Sequence, residues 1–140
     1  MVTGRYDNAF ALNSVEMVRG LENQMLNSVS NYDAGRLGAE IAYAIADKKL
    51  GLKDIVLEEP SLGGRDLYTQ DGIIAIQARL LRGLGPDNIE TDIQNALLSL
   101  VKKLQVDYSY NPQMVKGYAI LSYFDVDGGL KSIILEVPKV

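Results

Sequence analysis

The apolar positions of this chain change period twice, and the two changes divide it into thirds. In the first third, Leu12, Val15, Val18, Leu21, Met25, Leu26 and Val29 recur at steps of three and four. That spacing places them on one face of an amphipathic helix. Ser30-Asn31-Tyr32-Asp33 is a run of turn formers. A second helix is expected over about 34–50, with Leu37, Ile41, Ala44 and Ile45 on its apolar face and Gly51 as its stop.

In the middle third the period shortens towards two. Residues 54–58 read as a strand that Pro60 ends, 61–64 as a loop and 66–69 as a second strand. Gln70-Asp71-Gly72 then reads as a hairpin turn, because Asp-Gly favours the primed turn types. Residues 73–81 form a third strand, almost wholly apolar, as a central strand covered on both faces should be. Gly83-Leu84-Gly85-Pro86 breaks the chain, and Asp87 with Glu90 resembles a helix N-cap. Ile89, Ile93, Leu97, Leu100, Val101 and Leu104 form a helical stripe that ends by Asn111-Pro112. Two more strands are expected over 118–124 and 131–137, joined by Asp125-Val126-Asp127-Gly128-Gly129. The expected order is α-α-β-β-β-α-β-β in one α/β domain over 1–140, with 1–31 a helical extension and 32–140 the core.

Composition narrows the chemistry. The 140 residues include no cysteine and no histidine, which removes thiol nucleophiles, disulfides, histidine bases and histidine-ligated zinc. A metal would be held by oxygen donors, favouring Mg²⁺, Mn²⁺ or Ca²⁺. The net charge of −4 does not suit a protein that coats nucleic acid, although it leaves room for a local basic groove. Lys48, Lys49 and Lys53, and the adjacent Lys102 and Lys103, read as solvated helix surface. No apolar run is long enough to span a bilayer, and residues 1–7 lack the regions of a signal peptide, so a cytoplasmic location is expected.

Against this background one feature stands out. Gln77 and Arg79 interrupt the most apolar strand two residues apart, so they project from one face. Pairing about the Asp71-Gly72 turn would bring Asp66 beside their end of that strand. A carboxylate and an amide oxygen are donors for Mg²⁺, and a guanidinium stabilises charge that develops on a phosphoryl group. Asp66 serves equally well as a cap for the Gly63-Gly64 turn, and Arg79 as partner to a neighbouring acid. Glu58 and Glu59 flank the first of these strands and read as surface residues, and Arg82, just past the third, serves equally as a phosphate contact or a surface residue. Tyr108 and Tyr110 read as loop tyrosines that offer rings for base stacking or for packing over a hydrophobic edge.

The α-β-β-β-α-β order, with Gly63-Gly64-Arg65-Asp66 followed by Ile76-Gln77-Ala78-Arg79, resembles the PD-(D/E)xK restriction-endonuclease-like superfamily, and within it the Mrr-type branch that carries a Gln-x-Lys motif. Gly38-Ala39-Glu40 resembles that branch's Gly-x-Glu segment on the first core helix. The resemblance runs from about 36 to 137. It implies a three-layer sandwich with a mixed central sheet, and a Mg²⁺-dependent, or Mn²⁺-dependent, DNA endonuclease or nuclease-like DNA-binding domain that hydrolyses phosphodiester bonds. Asp66, Gln77, the Ala78 carbonyl and Glu40 would hold the metal, and Arg79 would steady the phosphate. A homodimer is the implied assembly. Arg79 stands where the family has lysine. An arginine does not lose its proton, so it cannot serve as a base, whereas it can clamp a phosphate through two hydrogen bonds. The alternative is a catalytically inactive nuclease-fold interaction or structural module.

Overall fold

A computed structural model describes residues 4–8, 31–57, 66–81, 89–124 and 130–139. The elements are β1 (Gly4–Asn8), α1 (Asn31–Lys48), β2 (Ile55–Leu57), β3 (Leu67–Thr69), β4 (Ile74–Leu80), α2 (Ile89–Tyr110), β5 (Lys116–Phe124) and β6 (Leu130–Pro138). They form a six-stranded mixed sheet in the order β1-β6-β5-β4-β3-β2. β4 and β5 pair in parallel and every other neighbouring pair is antiparallel. The parallel pair follows from its connection, because α2 lies between the two strands and carries the chain back to the starting edge.

Two cores show that the sheet is covered on both faces. Ala39, Ile41, Ala42, Ile45 and Ala46 of α1 pack with Leu67, Ile76, Leu80, Tyr118, Ile120 and Ile134. Ile93, Ala96, Leu97, Leu100, Val101, Leu104 and Tyr108 of α2 pack with Ala75, Leu81, Ala119, Leu121, Ile133, Leu135 and Val137. Even-numbered residues of β4 therefore face α1 and odd-numbered ones face α2, as the two-residue repeat of a strand requires. No helix among the described residues is long and apolar enough to cross a membrane.

The middle and last strands fall where the apolar pattern placed them, and three readings need correction. The first concerns the N-terminal extension, expected to be helical. Residues 4–8 are a strand that adds to the free edge of β6, with Gly4 opposite Glu136 and Asn8 opposite Ser132. Gly-Arg-Tyr-Asp-Asn has no alternation to reveal this. An edge strand can be held by main-chain hydrogen bonds alone, whatever its side chains. The stripe over 12–29 lies outside the described residues, as do Glu58, Glu59, Gly63, Gly64, Arg82, Asp87 and the 125–129 loop.

The second correction is the β3–β4 turn. It is not a primed turn: Gly72 takes a φ of 78°, and Asp54 is the one non-glycine described residue at positive φ. The Asp71 carboxylate accepts hydrogen bonds from Thr69 Oγ1 at 2.6 Å and from the Ile73 amide at 3.0 Å, which holds Asp71 in ordinary backbone geometry and passes the positive φ to the glycine. These bonds also hold the Asp71 pKa below its ordinary value. The third correction concerns Tyr108 and Tyr110, which lie in the last turn of α2 and not in a loop. Tyr110 is exposed, whereas Tyr108 is buried and its hydroxyl donates to the Val137 carbonyl.

Burial pushes the Tyr108 pKa up from 10.0 to about 12. The unfolded chain then loses this proton near pH 10 while the folded chain keeps it, so stability is lost as pH rises from about 10 to about 12. Tyr108→Phe is expected to lose the Val137 bond and to flatten this alkaline limb. Urea midpoints between pH 8 and 12 measure it, and parallel curves for the two proteins would show that another group is responsible.

Candidate functional site

The site reading depends on what β3 and β4 place side by side. Leu67 pairs with Ile76 and Tyr68 with Ala75. One step further along that ladder sets Asp66 across from Gln77. β3 ends at this point, and among the described residues the Ala78 amide has no strand partner on that side. The Asp66 carboxylate takes its place, accepting from Ala78 N through Oδ2 at 2.8 Å. The Thr69 hydroxyl does the same at the other end of the ladder, accepting from Ile74 N at 3.1 Å. Two polar side chains thus finish a three-residue strand too short to satisfy its neighbour. The Ala78 carbonyl leaves β4 on the same side as its amide and so opens towards Asp66.

Gln77 lies on the α2 face of β4. It is only 3% exposed, and its Nε2 donates to Asp107 Oδ2 at 2.8 Å. Asp107 is itself 6% exposed and sits in the last turns of α2. Arg79 is two residues on from Gln77 and exposed to solvent. Strand alternation sets it on the same face.

Of the residues singled out in the sequence, Asp66, Gln77, Ala78 and Arg79 therefore gather at one end of the β3–β4 pair. Glu40 belongs to α1, the helix that covers the other face of β4 through Ile76, Ala78 and Leu80. The helix that meets Gln77 is α2, and the acid it brings is Asp107. Asp107 went unnoticed in the sequence because the second helix was read as ending by Asn111-Pro112 with its last apolar residue at Leu104. A signal was present: Asp107 continues the Leu100, Leu104 spacing, so it is an acid at an apolar position of the stripe.

Asp66, the Gln77 amide oxygen and the Ala78 carbonyl are hard oxygen donors of the kind that Mg²⁺ or Mn²⁺ selects, so this donor set suits such an ion. Among the described residues no group of three or more acidic side chains is placed to hold a metal ion. Lys102 and Lys103 are on the solvent side of α2, in a shallow recess of about 420 Å³ shared with Asn95, Leu98, Ser99 and Val106. They are not part of the site.

No protein-family model, curated protein or solved structure matches this chain.

Proposed function

We propose that this chain is a nuclease-like domain of the restriction-endonuclease-like class that binds DNA and hydrolyses phosphodiester bonds with Mg²⁺ or Mn²⁺. The observation that carries this reading is the Asp66 carboxylate on the Ala78 amide, which joins the two halves of the Asp66 and Gln77-Ala78-Arg79 pattern across neighbouring strands. The strand order supports it as well. Residues 55–138 give five consecutive strands side by side in chain order, with a helix before them, a helix inside the parallel β4–β5 connection and one helix on each face.

In this reading Asp66, the Gln77 oxygen and the Ala78 carbonyl hold the ion. The ion would activate water and offset charge on the phosphate. Arg79 stays cationic and exposed, suited to clamp a phosphate oxygen pair from the solvent side. It does not give up a proton and so cannot accept one, and the base comes from elsewhere in the complex. DNA is the proposed partner, and a dimer would present two such sites to two strands.

Cleavage of supercoiled plasmid in Mg²⁺ or Mn²⁺ tests this. Asp66→Ala is expected to lower the rate by about 100-fold or more, the order of effect of removing an electrostatic catalytic group. It also uncaps Ala78 N, at a cost of about 1 kcal/mol, so stability is measured alongside. Equal rates for the folded variant and the wild type would reject the site.

A second reading rests on the burial of Gln77. An amide 3% exposed and bonded to Asp107 already has a structural role. In that reading the domain is a non-catalytic interaction module. Calorimetry separates the two, because heat of Mn²⁺ binding that disappears in Asp66→Ala belongs to the first alone.

A further inference from the structure

Among the described residues, Asp107 is the one buried acidic side chain. A carboxylate there must be stripped of water, and a pair of apolar side chains of the same volume would fill the space at less cost. Its partner is on another element, thirty positions earlier, and the contact is a 2.8 Å hydrogen bond between two buried groups. The donor in that bond is Gln77 Nε2, so the group of Gln77 that faces the carboxyl is the NH₂. The amide oxygen is bound to the same carbon as that nitrogen. It therefore faces away from Asp107.

We infer that Asp107 is a positioning residue: its buried carboxylate selects an amide at position 77 and fixes which way the amide oxygen points. The pair explains why an amide stands at 77. A glutamate there would set two carboxylates about 3 Å apart in a dry site, where like charges of this kind cannot both ionise. The acid belongs to α2 and the amide to β4, and exchanging them would keep the bond and reverse its direction. The role of that oxygen as a metal donor rests on the function proposed above, whereas the selection of an amide does not.

The test exchanges the two groups. Without metal, Gln77→Glu is expected to lower the thermal midpoint by about 10 °C at pH 7, the order of effect of an uncompensated buried charge, and by much less at pH 4. The double variant Gln77→Glu with Asp107→Asn is expected to recover at least half of that loss at pH 7. Asp107→Asn alone can present either side of its amide, so the Gln77 NH₂ protons should lose protection from hydrogen exchange in NMR spectra. The same single variant is expected to weaken Mn²⁺ binding by about 10-fold in calorimetry, the effect of removing a group that orients a metal ligand.

Failure of Asp107→Asn to rescue Gln77→Glu would overturn the pairing. Gln77 protons as protected in Asp107→Asn as in the wild type would overturn the positioning role, and so would an unchanged Mn²⁺ affinity in a wild type that binds the ion. A wild type that binds no Mn²⁺, with rescue and loss of protection both seen, would reject the nuclease reading and leave the positioning inference standing.

Discussion

Gly38→Val is expected to destabilise the domain by about 3 kcal/mol, at the upper end of what overpacking usually costs. At Gly38 α1 lies close against the backbone of β4. A Cβ there would lie 2.9 Å from Leu80 N and 3.3 Å from the Arg79 carbonyl carbon, and both atoms belong to the backbone of a central strand. Backbone inside a six-stranded sheet cannot rotate aside as a side chain does, so α1 must lift instead. Lifting it weakens the burial of Ile41 and Ile45, which are completely buried and each contribute about 1.5–3 kcal/mol. Gly38→Ala is the informative companion. Helix propensity alone would make it stabilising by about 1 kcal/mol, whereas the overlap costs more, so a net loss of about 1 kcal/mol is expected. Urea unfolding at unchanged m-value measures both. A stabilised Gly38→Ala would show that α1 and β4 are further apart than described. The same contact bears on the site, because the backbone it presses on is that of Arg79 and Leu80.

Leu104→Ala is expected to cost about 2–5 kcal/mol, the range for deleting a buried leucine side chain. Leu104 is fully buried at the centre of the α2-side core, and its Cδ2 would lie 3.0 Å from a Cβ built on Gly117. α2 therefore rests directly on the β5 backbone, through a leucine that fills the space left by a glycine. The two positions should be strongly coupled. Gly117→Ala alone crowds Leu104 and, at 3.2 Å, the Met114 methyl, and is expected to destabilise. In the Leu104→Ala background the added methyl enters the vacated space and should restore about 1 kcal/mol, so the two changes would not add. A double-mutant cycle from urea midpoints reads this directly, and strictly additive losses would exclude the contact.

How far the sequence could be read depended on how each residue's place is encoded. The long apolar strands and both described helices declare themselves, because their periodicity comes from facing a core. β4 is the plainest example. Its apolar run marked it as central, and the interruption at Gln77 marked the face that matters. Gly51, with φ of 66°, ends α1 where its sequence indicates, since few other residues take that backbone. β1 was illegible for the opposite reason, its place being set by the unpaired main chain of β6. The β3–β4 turn departed from its Asp-Gly signature because a hydroxyl two residues before Asp71 captured the carboxylate.

The candidate site divides along the same line. Asp66, Gln77 and Arg79 could be singled out because each is polar where its neighbours are not, and the hairpin rule brings Asp66 to β4. Which helix meets Gln77 is not local information. Glu40 is on the first core helix and Asp107 on the second; the stripe marks Asp107 as an acid at an apolar position, but helical spacing does not say which strand either helix meets. The choice follows from the two faces of β4, where α1 covers Ile76 and Leu80 and α2 covers Ala75 and Gln77. By itself the sequence determined the two described helices and the strands β2 to β6, the absence of any thiol or imidazole chemistry and the polar positions on β4, because these depend on residue type and short-range spacing. Only the tertiary structure decided that residues 4–8 extend the sheet and that Asp107 holds the Gln77 amide, because both are contacts between elements distant in the chain.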